Sequence, residues 1–245
     1  MTSYADLLKS TQSRVKGQTP QELGLPQPAL ELPLPPAAPV IPLPDPHRLE
    51  IPEMSLREAI EQRRSVRKYS GASLTMEELS YLLWLSQGVK EITPRPATRR
   101  TTPSAGSRHA LETYLLVNRV QGLEPGLYRF AASQHAVCNL NASSLIHEEI
   151  SHACWDQGQI LQSAVTFLWV AVSERMFWRY TDRGFRYLFL DAGHVCENLY
   201  LAAAAIGCGA CAIGGFRDDL LNETLNLDGE ALFVIYLASV GKLPV

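Results

Sequence analysis

Residues 179–216, RYTDRGFRYLFLDAGHVCENLYLAAAAIGCGACAIGGF, hold the strongest pattern in the chain. They predict a long helix over 185–206 that ends at Gly207, because glycine tolerates the left-handed conformation of a helix C-terminus. The helix is apolar on most sides, which places it deep in the core or in a subunit interface. A short strand over 210–213 is predicted to follow it.

The glycines at the end of this stretch resemble a nucleotide-binding motif in spacing only. Gly207-x-Gly209-x-x-Ala212 has the spacing of the dinucleotide fingerprint, but that fingerprint follows a strand and opens a helix. Here a helix precedes the glycines and a strand follows, so we exclude a Rossmann site. The adjacent Gly214 and Gly215 still expose backbone N–H groups, which indicates close contact with a planar ligand.

The other polar residues of this region do not predict a metal site. Cys208 and Cys211 form one CxxC pair without a second ligand pair and away from a helix N-terminus, which favours core packing over redox or zinc chemistry. His147 and His152 are five residues apart and diverge by roughly 140° on a helix. The long helix also carries four polar residues that favour a satisfied polar seam over metal binding: Asp191, His194, Glu197 and Asn198.

Upstream of this stretch the pattern alternates between helices and strands. Capping boxes at Ser55 and Thr75 begin two helices, the first reaching about Arg64. Pro94 and Pro96 predict a loop over 89–102. Further helices are expected over 144–155 and 218–225, and strands over 114–120, 127–130, 164–172 and 231–240. Because strands and helices mix without a regular βαβ alternation, the sequence predicts an α+β fold.

The N-terminal part differs in composition from the rest of the 245 residues. Ten of the 16 prolines lie between Pro20 and Pro46. Each proline removes a backbone donor, so we predict no regular hydrogen bonding there. We therefore divide the chain into a Pro-rich N-terminal arm (1–52), extended or partly disordered and free to wrap a partner subunit, and one folded domain (53–245). A weak helical pattern covers 4–15.

The net charge and the hydropathy of the sequence argue against a nucleic-acid binder and against a membrane-spanning protein. The formal net charge is −3, whereas nucleic-acid binders are usually strongly basic. No apolar run reaches the ~18 residues of a membrane span, and the N-terminus has no signal-peptide pattern. The five cysteines are irregularly spaced, which predicts a reduced, cytoplasmic protein without a disulfide framework.

Two further motifs could bind a ligand. Arg63, Arg64, Ser65 and Arg67 place three guanidiniums and a hydroxyl within five residues, which suits a phosphate ester. The alternative is a solvated helix C-terminus whose cations offset the helix dipole. Small residues after Pro103 would let a flat ligand approach the backbone, or they form a plain turn before a strand.

Taken in order, four motifs resemble those of one known family: RRSVRKY, TPSAGSRHALE, RYTDRGFRYLFLDAGHVCENLYLAAAAIG and CAIGGF. The sequence resembles the FMN-dependent nitroreductase superfamily from about residue 54 to residue 241. More narrowly, it is similar to the SagB-type (thiazoline/oxazoline) dehydrogenase branch. The resemblance implies a homodimeric nitroreductase-like fold, with a central mixed or antiparallel sheet flanked by helices. It also implies two FMN molecules bound at the subunit interface.

The resemblance also implies roles for individual residues. Those that would hold the FMN phosphate and ribityl chain are Arg63, Arg64 and Ser65, with Lys242 as a further phosphate ligand. Arg67 would reach the N1/O2 edge of the ring. The flavin of the neighbouring subunit would be contacted by Pro103, Ser104, Ala105 and Gly106. A backbone N–H of Gly214 or Gly215 would face N5.

The implied activity is hydride transfer through flavin N5. NAD(P)H or a substrate would be the donor, and a nitro compound, a quinone or dioxygen the acceptor. The expected catalytic pair is Arg179-Tyr180, where azoline dehydrogenases have Lys-Tyr. Arginine is a poor general base because it stays protonated, so this departure weakens azoline oxidation specifically. Two alternatives remain: a catalytically eroded flavin-binding partner or scaffold in a peptide-modifying complex, and a phosphate-ligand binder without flavin.

Overall fold

The structure, a computed structural model, describes Lys9, Thr11, Gln12 and residues 18–244. The strands are β1 (Val40–Pro42), β2 (Val89–Ile92), β3 (Thr98–Arg100), β4 (Leu111–Val117), β5 (Gly126–Ala131), β6 (Ala136–Asn139), β7 (Val165–Val172), β8 (Cys208–Ile213) and β9 (Leu232–Lys242). The helices are α1 (Leu56–Gln62), α2 (Met76–Gln87), α3 (Ile146–Ala153), α4 (Gln159–Gln162), α5 (Ser173–Tyr180), α6 (Arg183–Ala205) and α7 (Asp218–Thr224). The helix predicted over 4–15 falls mostly outside the described residues.

Seven strands form the central sheet in the order β1-β6-β5-β4-β7-β9-β8, and every neighbouring pair is antiparallel. Helices α2 and α6 pack on one face, and α3, α4 and α7 on the other. All eight residues of the interior strand β7 are buried, as its continuous apolar run predicts. The α+β prediction with helices flanking an antiparallel sheet is confirmed.

Both predicted capping boxes are present, but the first helix is shorter than predicted. Helix α1 ends at Gln62, and Arg63 is already its C-cap. The chain then follows the edge of the sheet, where the Val66 N–H donates to the Ala210 carbonyl at 2.8 Å. Arg63 therefore lies at the C-cap, and Arg64 and Arg67 lie beyond the helix, so none of the three is in its last turn.

Several other strands and helices also differ from the prediction. The predicted loop over 89–102 contains the hairpin β2–β3, because Pro94 and Pro96 lie in its connecting turn and leave the ladder intact. Strand β6 and helix α5 were not predicted. Helix α5 follows β7 directly, and its N-cap residue Val172 makes no side-chain cap, so the sequence carries no start signal for it.

The arm contains more hydrogen bonding than its prolines predict. Strand β1 pairs with β6 over Val40–Pro42, which corrects the expectation of no regular hydrogen bonding. Because β1 lies at the edge of the sheet, it has one neighbour only, and a proline there interrupts no second ladder. None of the helices in the described residues has the length and apolar character of a bilayer span.

A buried ion pair connects the arm to the domain. Glu112 and Arg175, each about 3% exposed, form a salt bridge at 2.6 Å. The Glu112 carboxylate also accepts from the Leu32 N–H at 2.9 Å, and Arg175 donates to the Ala29 carbonyl at 2.7 Å. Buried Arg129 donates to the Leu32 carbonyl at 3.1 Å. These charges therefore hold the arm against the domain of its own chain.

Candidate functional site

The segment that follows α1, here called the arginine segment (Arg63–Tyr69), lies along the outer edge of β8. Ser65 forms a parallel bridge with Ala210, and its hydroxyl lies 3.1 Å from the hydroxyl of Tyr200 on α6. The same Tyr200 oxygen accepts from the Ala212 N–H at 2.7 Å. Tyr200 therefore fixes the segment, the long helix and the edge strand in one arrangement. No sequence pattern indicated this tyrosine's role.

The arginine segment carries positive charge without compensation. In the part of the chain that the structure describes, no carboxylate lies within ion-pair distance of Arg63, Arg64 or Arg67. The Arg63 guanidinium stacks over the Tyr200 ring at 5.2 Å from its centroid. A cavity of about 140 Å³ opens beside Arg63, Arg64 and Gly209. Such a group of free guanidiniums suits a phosphate.

Gly209 has a packing role. A Cβ at this position would lie 2.6 Å from the Cβ of Val66, closer than side-chain contacts allow. The glycine therefore lets the arginine segment approach β8. This packing explains why position 209 is a glycine, in agreement with the sequence-based exclusion of a dinucleotide-binding site here.

The glycine turn (Gly214–Gly215) follows β8 and presents open backbone. A Cβ on Gly215 would have no atom within 4 Å, and neither glycine has a positive φ. Among the described residues, no acceptor is assigned to the N–H groups of Gly214 and Gly215. Neither packing within the chain nor backbone conformation therefore requires glycine at 215. The open space and the free donors fit a flat ligand at this point.

One side of the glycine turn is fixed by a neighbouring loop. The Gln157 amide donates to the Gly215 carbonyl at 2.7 Å and to the Cys154 carbonyl at 2.9 Å. The Arg217 N–H donates to the Ala153 carbonyl at 2.8 Å. These bonds orient the turn, and no sequence motif pointed to Gln157.

The small-residue loop (Pro103–Gly106) lies elsewhere on the same chain. Gly106 has a φ of 57°, and a Cβ there would lie 2.5 Å from the Tyr180 hydroxyl and 2.8 Å from Arg179 Cδ. The structure therefore brings the predicted catalytic pair Arg179-Tyr180 into contact with this loop. The Ala105 N–H donates to Asp191 Oδ1 at 3.2 Å.

Asp191 is a functional candidate that the sequence placed only in a polar seam. It is buried, and burial raises the pKa of its carboxyl. Its Oδ2 atom has no hydrogen-bond partner in the described chain. The predicted seam is not continuous, because Asn198 donates to the Leu85 carbonyl whereas His194 and Glu197 are exposed. Asp191 instead supports the small-residue loop.

The two ligand-binding candidates are separated on one chain. Asp191 contacts the small-residue loop and Tyr200 contacts the arginine segment. Asp191 and Tyr200 are nine positions apart on α6, which corresponds to about 14 Å along a helix axis. The arginine segment and the small-residue loop therefore lie at two separate places on one chain.

Lys242 and the two cysteines Cys208 and Cys211 all interact with or pack against other parts of the chain. The Lys242 ammonium forms an ion pair with Glu78, so its predicted role as a phosphate ligand stays a prediction. Cys208 and Cys211 are free and buried. Burial raises the pKa of the Cys208 thiol to about 12, which keeps it protonated and unreactive. The prediction that this pair packs in the core is confirmed.

His109, next to the small-residue loop, should make the fold sensitive to acid. Burial, together with nearby Arg100, lowers the pKa of His109 to about 3. Because the unfolded chain binds this proton near pH 6.5, stability from the neutral ring is complete above that pH. It is lost as pH falls toward 3, at about 1.4 kcal/mol per pH unit.

A His109→Gln variant should therefore lose less stability on acidification. Between pH 7 and 5.5, urea unfolding of the wild type should lose about 1 kcal/mol more free energy than the variant. Other titrating groups are common to both proteins, so they cancel in the comparison. Equal pH dependence in the two proteins would contradict the buried, neutral ring.

The sequence and the fold of this chain are both similar to those of known proteins. The model of the nitroreductase family matches residues 60–242. A nitroreductase-named protein of Methanocaldococcus jannaschii is 35% identical over 178 residues, 73% of this chain and 87% of that protein. A crystal structure from Ralstonia eutropha, also named for a nitroreductase, is 25% identical with a TM-score of 0.69 and covers 94% of this chain and 97% of that one. The microcin B17-processing protein McbC of Escherichia coli is 25% identical over 143 residues, 55% of this chain and 52% of that protein.

Proposed function

Because the chain belongs to the nitroreductase family, we propose that it is an FMN-dependent oxidoreductase. When bound, FMN supplies two-electron hydride chemistry at ring atom N5. The proposed donor is NAD(P)H or a substrate, and the acceptor is a nitro compound, a quinone or dioxygen. The observation that carries the proposal is the glycine turn: its free N–H donors and open space directly follow β8, the strand whose edge also holds three uncompensated arginines.

The residues present fit such a cofactor. Arg63, Arg64 and Ser65 supply charge and a hydroxyl for a phosphate, while Gly214 supplies open backbone four residues beyond Ala210. Four strand residues span roughly 13 Å, which suits an extended mononucleotide. Arg67 lies between these ends and close to Cys211: burial raises the pKa of that thiol, and the charge of Arg67 opposes the rise. A fixed cation there would stabilise negative charge on the reduced ring.

We propose further that the active form is a homodimer in which each site joins two half-sites. The arginine segment and glycine turn of one copy would face the small-residue loop of the other. Helix α6 exposes Phe185, Phe189 and Leu190 by 43%, 60% and 53%. Large apolar side chains exposed together mark interaction surfaces, and these lie on the helix that connects the half-sites.

The resemblance to SagB-type dehydrogenases favours a second candidate within the same class, oxidation of a peptide heterocycle, and similarity to a microcin-processing protein supports a peptide substrate. The position of the Tyr180 hydroxyl beside Gly106 of the small-residue loop supports this role. Arg179 cannot accept a proton and would instead orient substrate or stabilise an anion. If Arg179 has abolished turnover, the chain would be a flavin-binding scaffold in a peptide-modifying complex.

Anaerobic spectroscopy separates these candidates. The purified protein should show oxidised flavin absorbance, and NADH or NADPH should bleach it if the chain is a reductase. Bleaching by a peptide azoline but not by either nucleotide would support the dehydrogenase. Bound flavin that no donor reduces would support the scaffold, and a colourless protein would contradict all three.

Arg67→Ala should weaken FMN binding by about tenfold and lower the flavin midpoint potential, because the variant removes a charge-assisted contact to the ring. Fluorescence titration and dye-linked potentiometry measure the two effects. The matched control is Lys68→Ala, which removes a neighbouring exposed cation of equal charge. Unchanged affinity and potential in the Arg67 variant would contradict its assigned position.

A further inference from the structure

Two guanidinium groups flank Gly106 in the small-residue loop. Arg108 Nε donates to the Gly106 carbonyl at 3.0 Å, and the Arg108 guanidinium stacks over the Trp178 ring at 5.3 Å. On the other side, Arg179 Nε lies 2.8 Å from the position of a Cβ on Gly106. The loop, its bare glycine and the Tyr180 hydroxyl therefore share one small area with two cations.

These two cations have no counter-charge. In the described part of the chain neither Arg108 nor Arg179 forms a salt bridge. The buried carboxylates of this region have other partners: Asp191 accepts from the Ala105 N–H, and Glu112 is bound to Arg175. Burial lowers the pKa of Arg108, and the neighbouring charges of Arg179 and Arg95 lower it further. Two like charges this close destabilise the protein unless an anion binds between them.

The terminal nitrogens of Arg108 remain available to a ligand. The residue is only 7% exposed, so packing against Trp178 and Gly106 fixes its orientation. Its Nη atoms have no partner among the described residues, and they are not among the enclosed unpartnered atoms. They therefore face the surface from a side chain that is otherwise buried. A rigid guanidinium with free ends is suited to bidentate binding of an oxyanion.

We propose that Arg108 and Arg179 form a subsite for a carboxylate or phosphate group of the molecule that reacts at the proposed flavin site. The inference rests on the proposed function and adds a substrate class, an anionic one. It also gives arginine at position 179 a role in binding. Tyr180, which lies beside the same glycine, would then face the part of the substrate next to its anionic group.

Matched probes test the subsite without turnover. Calorimetric titration of the oxidised protein with 4-nitrobenzoate and 4-nitrobenzamide compares an anion with a neutral molecule of the same shape, so ring stacking cancels in the ratio. We expect the wild type to bind the carboxylate about tenfold more tightly, the value of one charge-assisted bond. Arg108→Gln and Arg179→Gln should each bring the ratio close to one. Arg57→Gln, which removes an exposed remote charge, should leave it unchanged.

A second experiment, a comparison of KM values, identifies which molecule carries the anionic group. A phosphate on the electron donor would give NADPH a lower KM than NADH, with the difference lost in Arg179→Gln. A preference for the anionic probe or for NADPH that depends on these arginines supports the subsite. Equal binding of both probes together with equal KM values in the wild type overturns it. Arg108→Lys, which keeps the charge, should retain part of the preference and shows that the loss in Arg108→Gln is not misfolding.

The subsite and the proposed function fail in different ways. A yellow protein reducible by a nucleotide but without anion preference loses the subsite alone. A colourless protein that still prefers the nitrobenzoate, through the same arginines, keeps the subsite and loses the flavin assignment.

Discussion

Replacing Gly215 with valine is expected to remove most of the bound FMN while leaving the fold intact. A Cβ at this position has no atom within 4 Å, and the backbone φ is not positive, so the isolated chain accommodates a side chain. The only space that valine fills is the space assigned to the flavin ring. Steric overlap of this kind costs about 1–3 kcal/mol, which raises the FMN dissociation constant by roughly ten- to a hundredfold.

Flavin content after purification and a fluorescence titration of the apoprotein measure this effect. Gly71→Val is the matched control, because Gly71 also has open space around its Cβ and no positive φ. The melting temperatures of both flavin-free variants should stay close to that of the flavin-free wild type. Normal flavin affinity in the Gly215 variant would mean that the cofactor site lies elsewhere.

The second large effect concerns the buried ion pair beneath the arm. Glu112→Gln should destabilise the protein by about 3–5 kcal/mol, because it leaves the buried Arg175 guanidinium without its carboxylate. Buried Arg100 depends on the same negative charge, which opposes the lowering of its pKa by burial. The variant also weakens the acceptor that holds the Leu32 N–H of the arm. Urea unfolding of the flavin-free protein measures the loss.

Two controls separate the charge from packing. Glu149→Gln changes an exposed carboxylate and should alter stability by less than about 0.5 kcal/mol. The double variant Glu112→Gln with Arg175→Met removes both buried charges and should recover part of the loss. A change below about 1 kcal/mol in the single variant would show that the pair contributes little to the fold.

The periodic parts of the fold were predictable because local chemistry determines them. The capping boxes at Ser55 and Thr75 and the apolar run over 164–172 give helix starts and a buried strand in the expected places. Helix α5 was missed because no capping residue marks its start. Strand β1 was missed because its ladder depends on a partner almost a hundred residues away, which a local pattern does not contain.

In the candidate site, too, the local motifs were predictable and the contacts between distant residues were not. Clustered arginines and paired glycines were visible as local motifs. The contacts that position them come from residues distant in sequence, such as Tyr200 against Ser65 and Gln157 against Gly215. Single polar residues in an apolar helix or an unremarkable loop give no signal of such contacts. Their roles follow only from the tertiary packing of α6 and α3.

Native mass spectrometry of the purified protein tests the shared flavin site most directly. We expect two chains carrying two FMN molecules, with both lost together when the dimer dissociates, because each FMN needs the arginine segment of one copy and the small-residue loop of the other. A monomer that retains one FMN, or a dimer that takes up none when FMN is added, would contradict it.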